Sequence, residues 1–285
     1  MSQTHTTFRA AEARRRWIGG AVAILVTGVV FVLPFLFALL QASKTQADAS
    51  TLSFSWPTEW QLWSNLVAVI QVRDYQLLLA FFNSTVITVA SVTGLVVFAS
   101  MVGYILQRRQ SRWNGLINFL VLAGLMIPPA VVPTIWLLQQ LELFKTLHGM
   151  VLIEIAYNLS FSILLYRAFV ATIPRELDEA ARMDGAKPWQ TFFRVIFPLL
   201  KPVTVTNIVV QSIAIFNDFV NPLYYLPGKD NVTVQLTLYN FQSQFETQYN
   251  LLFSNVLLVT IPPLIVFVFF NRQIVAGMTA GAVKG

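Results

Sequence analysis

Six stretches of this chain are apolar for about the length a helix needs to cross a bilayer, roughly 20 residues for a hydrocarbon core of about 30 Å. They lie at about 17–40, 77–105, 116–139, 150–171, 200–221 and 252–271. Such runs leave few folds open. In lipid every backbone N–H and C=O needs a protein partner, and a helix satisfies them within a single segment. The expectation is an all-α polytopic membrane protein with six transmembrane helices. The first run, Trp17 to Leu40, follows Arg14, Arg15 and Arg16. It is longer than the apolar core of a cleavable signal, typically about 7 to 15 residues, and is read as a retained helix. Runs three and five are interrupted by Pro128-Pro129 and by Asn217-Asp218.

The basic residues orient the spans. Fifteen of the 19 Lys and Arg fall in 1–16, 106–115, 167–201 and 272–285, whereas the alternate connections hold only Lys44, Arg73, Lys145 and Lys229. The basic side of a membrane protein is the cytoplasmic one, so both termini are expected there. The net charge of +6 then reflects topology and requires no nucleic-acid partner. Residues 1–16 become a cytoplasmic tail, 17–40 the first transmembrane helix, 41–76 an external segment, 77–271 a five-helix core and 272–285 a second tail. Within the core, 172–199 is a cytoplasmic loop and 222–251 an external one. The segment 41–76 is rich in Trp, as an interfacial belt or a helix lying on the membrane would be. Residues 222–251 alternate too irregularly for a strand, carry a Pro-Gly turn signal and are expected to form an ordered loop.

Chemistry is constrained by what is missing. The chain has no cysteine and two histidines, His5 and His148, distant in sequence. No catalytic set and no metal-ligand spacing emerges, and no Gly-x-x-x-x-Gly-Lys-Ser/Thr loop is present to cradle phosphate. An enzyme is not expected, and any ATP and Mg would be used by a partner.

One loop is unlike the rest. "ELDEAARMDGAKPW", residues 176–189, holds four of the thirteen carboxylates in a chain only 11% charged. A helix over 175–184 is predicted: Pro174 suits its first turn, Glu176 and Asp178 complement the dipole, and Gly185 allows a left-handed stop. At 100° per residue Leu177, Ala180, Ala181 and Asp184 share one face, with Glu176, Glu179 and Met183 along its edge. Asp178 and Arg182 are spaced to pair at i, i+4. Beyond Lys187-Pro188, Trp189, Phe192, Phe193 and Ile196 repeat at i, i+3, i+4, i+7 as an anchoring face. The product is a helix-turn-helix between spans four and five, with small residues and carboxylates offered to a docking partner.

The stretch "EAARMDGAKPWQTFFRVIFP" resembles the EAA loop of type I ABC importer permeases, matching at Glu179, Ala180, Ala181, Gly185 and Pro198, with Val195 and Phe197 standing for the usual Ile and Leu. "LMIPPAVVP", "FNDFVNPLYYL" and the tail "NRQIVAGMTAGAVKG" are similar to the maltose-type, six-span permease of the carbohydrate uptake branch. The resemblance implies a subunit of the bacterial inner membrane that forms a sugar path with a second, homologous permease. It implies two separate ATPase subunits engaged through residues 176–185 (Glu176, Leu177, Asp178, Glu179, Ala180, Ala181, Arg182, Met183, Asp184 and Gly185) and an external solute-binding protein.

Polar residues within the spans mark a candidate translocation path: Asn158, Asn207, Gln211, Asn217, Asp218 and Asn221. Pro128, Pro129, Pro133, Pro262 and Pro263 leave carbonyls unpaired and suggest kinks. Charge inside a bilayer is costly, so Glu154 and Asp218 should lie near external ends or face protein, and scarce central charge suits a neutral sugar. The alternative is an ion-coupled secondary transporter of a small polar solute. It calls for titratable groups at the bilayer centre and an internal repeat, and neither is found.

Overall fold

A computed structural model describes residues 4–242 and 247–282. Among the described residues the regular secondary structure is helical, joined by turns and loops, with one isolated antiparallel bridge between Gln242 and Thr247. In order they form α1 (Thr4–Ala42), α2 (Gln46–Ala49), α3 (Leu62–Arg108), α4 (Asn114–Met126), α5 (Val131–Gln140), α6 (Leu147–Val170), α7 (Glu176–Met183), α8 (Pro188–Gln190), a π-helical turn (Thr191–Ile196), α9 (Phe197–Leu199), α10 (Lys201–Phe216), α11 (Val220–Tyr225), a 3₁₀ segment (Gln235–Phe241) and α12 (Tyr249–Ala282).

Four helices are long and apolar enough to cross a membrane, and six spans result if each of two bent pairs counts as one. The predicted third span, 116–139, is one such pair. α4 and α5 meet at 115° across Ile127 to Ala130, where Pro128 and Pro129 cannot extend the hydrogen-bond ladder. The other pair joins Pro188–Leu199 to α10 at 74°, with Pro202 at the start of α10. Pro262 and Pro263 behave differently and sit inside α12, which continues through them without a break. Helix also extends into the predicted external segment, since α3 begins at Leu62. It is interrupted at Val72 to Tyr75, where Arg73, Asp74 and Tyr75 all take left-handed φ of 51 to 60°. For side-chain-bearing residues such a run costs about 1–2 kcal/mol apiece.

The chain divides into two compact units. One comprises residues up to 71 together with 238–258. There α1 is bare from Trp17 to about Phe35, as a lipid-facing helix must be. Below it, Asn65 Nδ2 donates to the carbonyls of Ala42 and Lys44, both at 2.9 Å, and Asn250 Nδ2 donates to Asn65 Oδ1 at 3.0 Å. The Lys44 ammonium is fully buried and is satisfied by the Ser53 carbonyl at 2.8 Å and the Ser55 hydroxyl at 3.1 Å.

The other unit, 72–237 with 259–285, contains two apolar clusters. One gathers Ala99, Tyr166, Val170, Phe192, Ile196 and Leu200 from α3, α6 and the segment after α7. The second gathers Leu95, Leu138, Met150, Ile153, Ile215 and Tyr225. α3 and α6 approach closely at Gly103, where an added Cβ would lie 3.0 Å from the Arg167 nitrogen and 3.1 Å from the Ile163 carbonyl. Only hydrogen fits between backbones that close. Part of the predicted 222–251 loop is bonded to α3: Asn83 Nδ2 donates to Val232 O at 3.0 Å, and Ser84 Oγ accepts from Val234 N at 3.0 Å.

Candidate functional site

The helix expected over 175–184 forms as α7, Glu176–Met183, between Arg175 and Asp184 as caps. Its first turn carries Glu176, Asp178 and Glu179, which complement the exposed N–H groups there. It ends at Gly185, whose φ of 78° few other residues adopt without strain, while Ala186 N closes back on Ala181 O at 2.9 Å. The next segment opens with Lys187 N donating to Gln190 Oε1 at 2.8 Å, ahead of Pro188 in the first turn.

The faces of α7 differ from the sequence reading. Ala181 and Asp178 turn inward and are buried, whereas Glu176, Leu177, Glu179, Ala180, Arg182, Met183, Asp184 and Gly185 are exposed. Met183 is 88% exposed. The exposed surface is therefore an acidic and small-residue face with one protruding thioether. Asp178 does not pair with Arg182. Its Oδ2 lies 3.1 Å from Arg108 Nε at the end of α3, and its Oδ1 accepts a short hydrogen bond from the Tyr104 hydroxyl one turn earlier. That is the only ion pair among the described residues, and both side chains are over nine-tenths buried. The i, i+4 spacing is available, yet burial beside α3 offers Asp178 a desolvated partner and a second donor, which a solvent-exposed pair cannot match.

The anchoring stripe is half realised. Phe192 and Ile196 enter the core with Leu200, while Trp189 and Phe193 stay exposed. The π-helical turn over Thr191–Ile196 accounts for this, because five-residue hydrogen bonding, as from Phe197 N to Phe192 O, rotates successive side chains away from the 3.6-residue face.

The predicted path residues separate into three settings. Asn207 and Gln211 are buried and bonded within the chain: Gln211 Nε2 donates to Ser162 Oγ at 3.2 Å, and Ser162 donates to Asn207 Oδ1 at 3.0 Å. Asn158 Nδ2 turns back on its own helix, donating to Glu154 O at 2.9 Å and to its carboxylate at 3.2 Å. Asp218 caps α11, accepting from Val220 N and Asn221 N at 3.0 and 3.3 Å, while Asn217 Oδ1 accepts from Gln235 Nε2 at 3.1 Å. Glu154 is buried and its carboxyl faces Asp218, so both acids face protein. α11 is fastened to α6 through the Tyr157 and Tyr225 hydroxyls, 2.8 Å apart.

Sequence reasoning missed a cavity of about 220 Å³ whose walls include Thr85 and Thr88 of α3, Ser212 and Phe216 of α10 and Pro262 and Pro263 of α12. No lining side chain is charged. The available signal was Thr85 and Thr88, about one helical turn apart in a stretch that also carries Asn83, Ser84 and Ser91.

An all-helical fold with several apolar helices and an exposed acidic hairpin on a buried ionic base is that of a polytopic membrane protein with a docking element. Residues 95–280 match the family described as the inner membrane component of binding-protein-dependent transport systems, and the chain belongs to that family. It is thus a multi-pass permease subunit of an ABC importer and not an enzyme. A similar curated protein is the multiple sugar-binding transport system permease MsmG of Streptococcus mutans, 30% identical over 276 residues, 92% of this chain and 95% of the relative. Another is the diacetylchitobiose uptake permease NgcG of Streptomyces coelicolor, 26% identical over 96% of this chain and 92% of its own. Among solved structures, a bacterial ABC transporter involved in import of the acidic polysaccharide alginate superposes with a TM-score of 0.78 at 19% identity, covering 92% of this chain and 97% of that one. The ion-coupled alternative is set aside, because relatives matching nearly the whole chain are ABC permeases.

Proposed function

We propose that the chain forms, with a second homologous permease, the membrane path of an ATP-driven importer for a neutral sugar or oligosaccharide, with six spans and both termini in the cytoplasm. α7 is its coupling element. Two separate ATPase subunits bind ATP and Mg, and this chain contributes the exposed face of residues 176–185 to the cleft of one of them. An external solute-binding protein delivers the sugar; a bacterial alginate ABC transporter of similar fold is solved in complex with an alginate pentasaccharide-bound periplasmic protein.

The observation that carries the reading is the contrast across α7. One side is buried and ionically fixed through Asp178, while the other presents Ala180, Glu179 and Met183 bare, with none of the described residues covering them. A coupling element needs that combination of rigid seat and free docking face. Six spans require each bent pair to count as one crossing, and the excess of basic residues in the tails and even connections supports the cytoplasmic placement. The scarcity of charged residues within the spans supports a neutral substrate, since charge inside a bilayer is costly and an acidic polysaccharide calls for cationic partners.

The test is co-purification of the assembled transporter. Glu179→Lys and Gly185→Val should each lose the ATPase subunit while the permease still inserts in the membrane. Retention of the ATPase by both variants would overturn the assignment of α7.

A further inference from the structure

α7 is joined to the chain covalently at both ends, through α6 and through α10. A third, non-covalent connection runs to α3. Arg108 Nε contacts Asp178 Oδ2, while its Nη2 donates to the carbonyls of Ile173 at 2.7 Å and Pro174 at 3.3 Å, in the residues leading into α7. One guanidinium therefore holds both the helix and its entry. Tyr104, one turn earlier, engages the remaining Asp178 oxygen, and its ring packs against Phe192 in the second arm of the hairpin at 5.2 Å between centroids. The end of α3 thus grips the first arm by charge and the second by an aromatic face.

Such a cluster resists partial displacement. A buried ion pair is costly to separate, because each partner would be left charged and desolvated. The planar guanidinium reaches three acceptors at once, so moving α7 relative to α3 breaks several contacts together. From Gln76 to Arg108, α3 is about 50 Å long at 1.5 Å per residue, longer than a bilayer's hydrocarbon core. Its last turns can therefore stand clear of the hydrocarbon, where a hydrophilic latch is tolerated.

Resting on the proposed coupling role of α7, we infer that Tyr104, Arg108 and Asp178 form a latch making the hairpin and the end of α3 one rigid body, so that displacement of α7 enters the membrane through α3. Arg108 and Tyr104 are positioning residues, which touch neither nucleotide nor sugar.

Because the chain lacks cysteine, spin labels can be placed at Ile105 in α3 and Lys187 in the hairpin of the assembled transporter. The distance between them should be the same with and without MgATP. Arg108→Gln should broaden that distribution and make it shift on MgATP, with the ATPase subunit still bound, and Tyr104→Phe should do so less. The exchange of Arg108→Asp with Asp178→Arg should restore a narrow, nucleotide-independent distance. A distance that shifts with MgATP while the latch is intact would overturn the inference, as would an Arg108→Gln distribution that stays narrow. Loss of the ATPase from Arg108→Gln would also overturn it, because the pair would then only shape the docking face. Failure of the coupling role itself shows separately, as ATPase retention by both Glu179→Lys and Gly185→Val.

Discussion

Two polar clusters tie non-adjacent helices together, and they are built from opposite chemistry. The one joining α3 to α7 is ionic, Arg108 with Asp178, supported by Tyr104. The one joining α6 to α10 is neutral, Ser162 with Asn207 and Gln211. Both are buried. Neutral amides and hydroxyls satisfy one another at modest desolvation cost, which suits the middle of packed spanning helices. A charge pair binds more specifically, but each half is a liability once the other is gone. The ionic cluster should therefore be the more fragile to single substitution and the more exacting in geometry.

The largest effect is expected from Asp178→Ala, which strands the buried Arg108 and should cost about 3–5 kcal/mol, read as a lowered midpoint in thermal unfolding of the detergent-solubilised complex. A loss no greater than that of the neutral cluster would remove the distinction. Asn207→Leu should cost about 2 kcal/mol by leaving Ser162 without its acceptor. Adding Ser162→Ala and Gln211→Leu should recover most of that loss in the same unfolding measurement, since an all-apolar contact has nothing unsatisfied. Tyr104→Phe should cost about 1.5 kcal/mol, removing one donor to a charged acceptor while the ring keeps its contact with Phe192. Gly103→Ala should cost about 1 kcal/mol by pressing a methyl between α3 and α6, with little effect on either cluster when combined with substitutions there in a double-mutant cycle.

Legibility varied with how local the controlling interaction is. α7 was readable almost to the residue, because Pro174, the early carboxylates and Gly185 act on their own turn. The partner of Asp178 was not, since Arg108 is seventy positions away and Arg182 offered an equally spaced local answer. The anchoring stripe was read on a 3.6-residue period that the π-helical turn abandons. Proline pairs show the same limit. Pro128-Pro129 ends α4, whereas Pro262-Pro263 is carried within α12, although the dipeptides are identical. The cavity that Pro262 and Pro263 help to line was invisible because Thr85, Ser212 and Pro262 are far apart in sequence.

By itself the sequence determined that this chain is helical and membrane-embedded, which side of its connections is basic, and where a short acidic helix starts and stops. Those follow from apolar run length, from charge counts and from capping chemistry, all short-range along the chain. Only the tertiary structure decided which face of α7 is free, which helix it is fastened to, and which span residues bond to each other instead of lining space. Those are choices among partners that become neighbours only on packing, where burial multiplies the value of a charge contact and so selects Arg108 over Arg182.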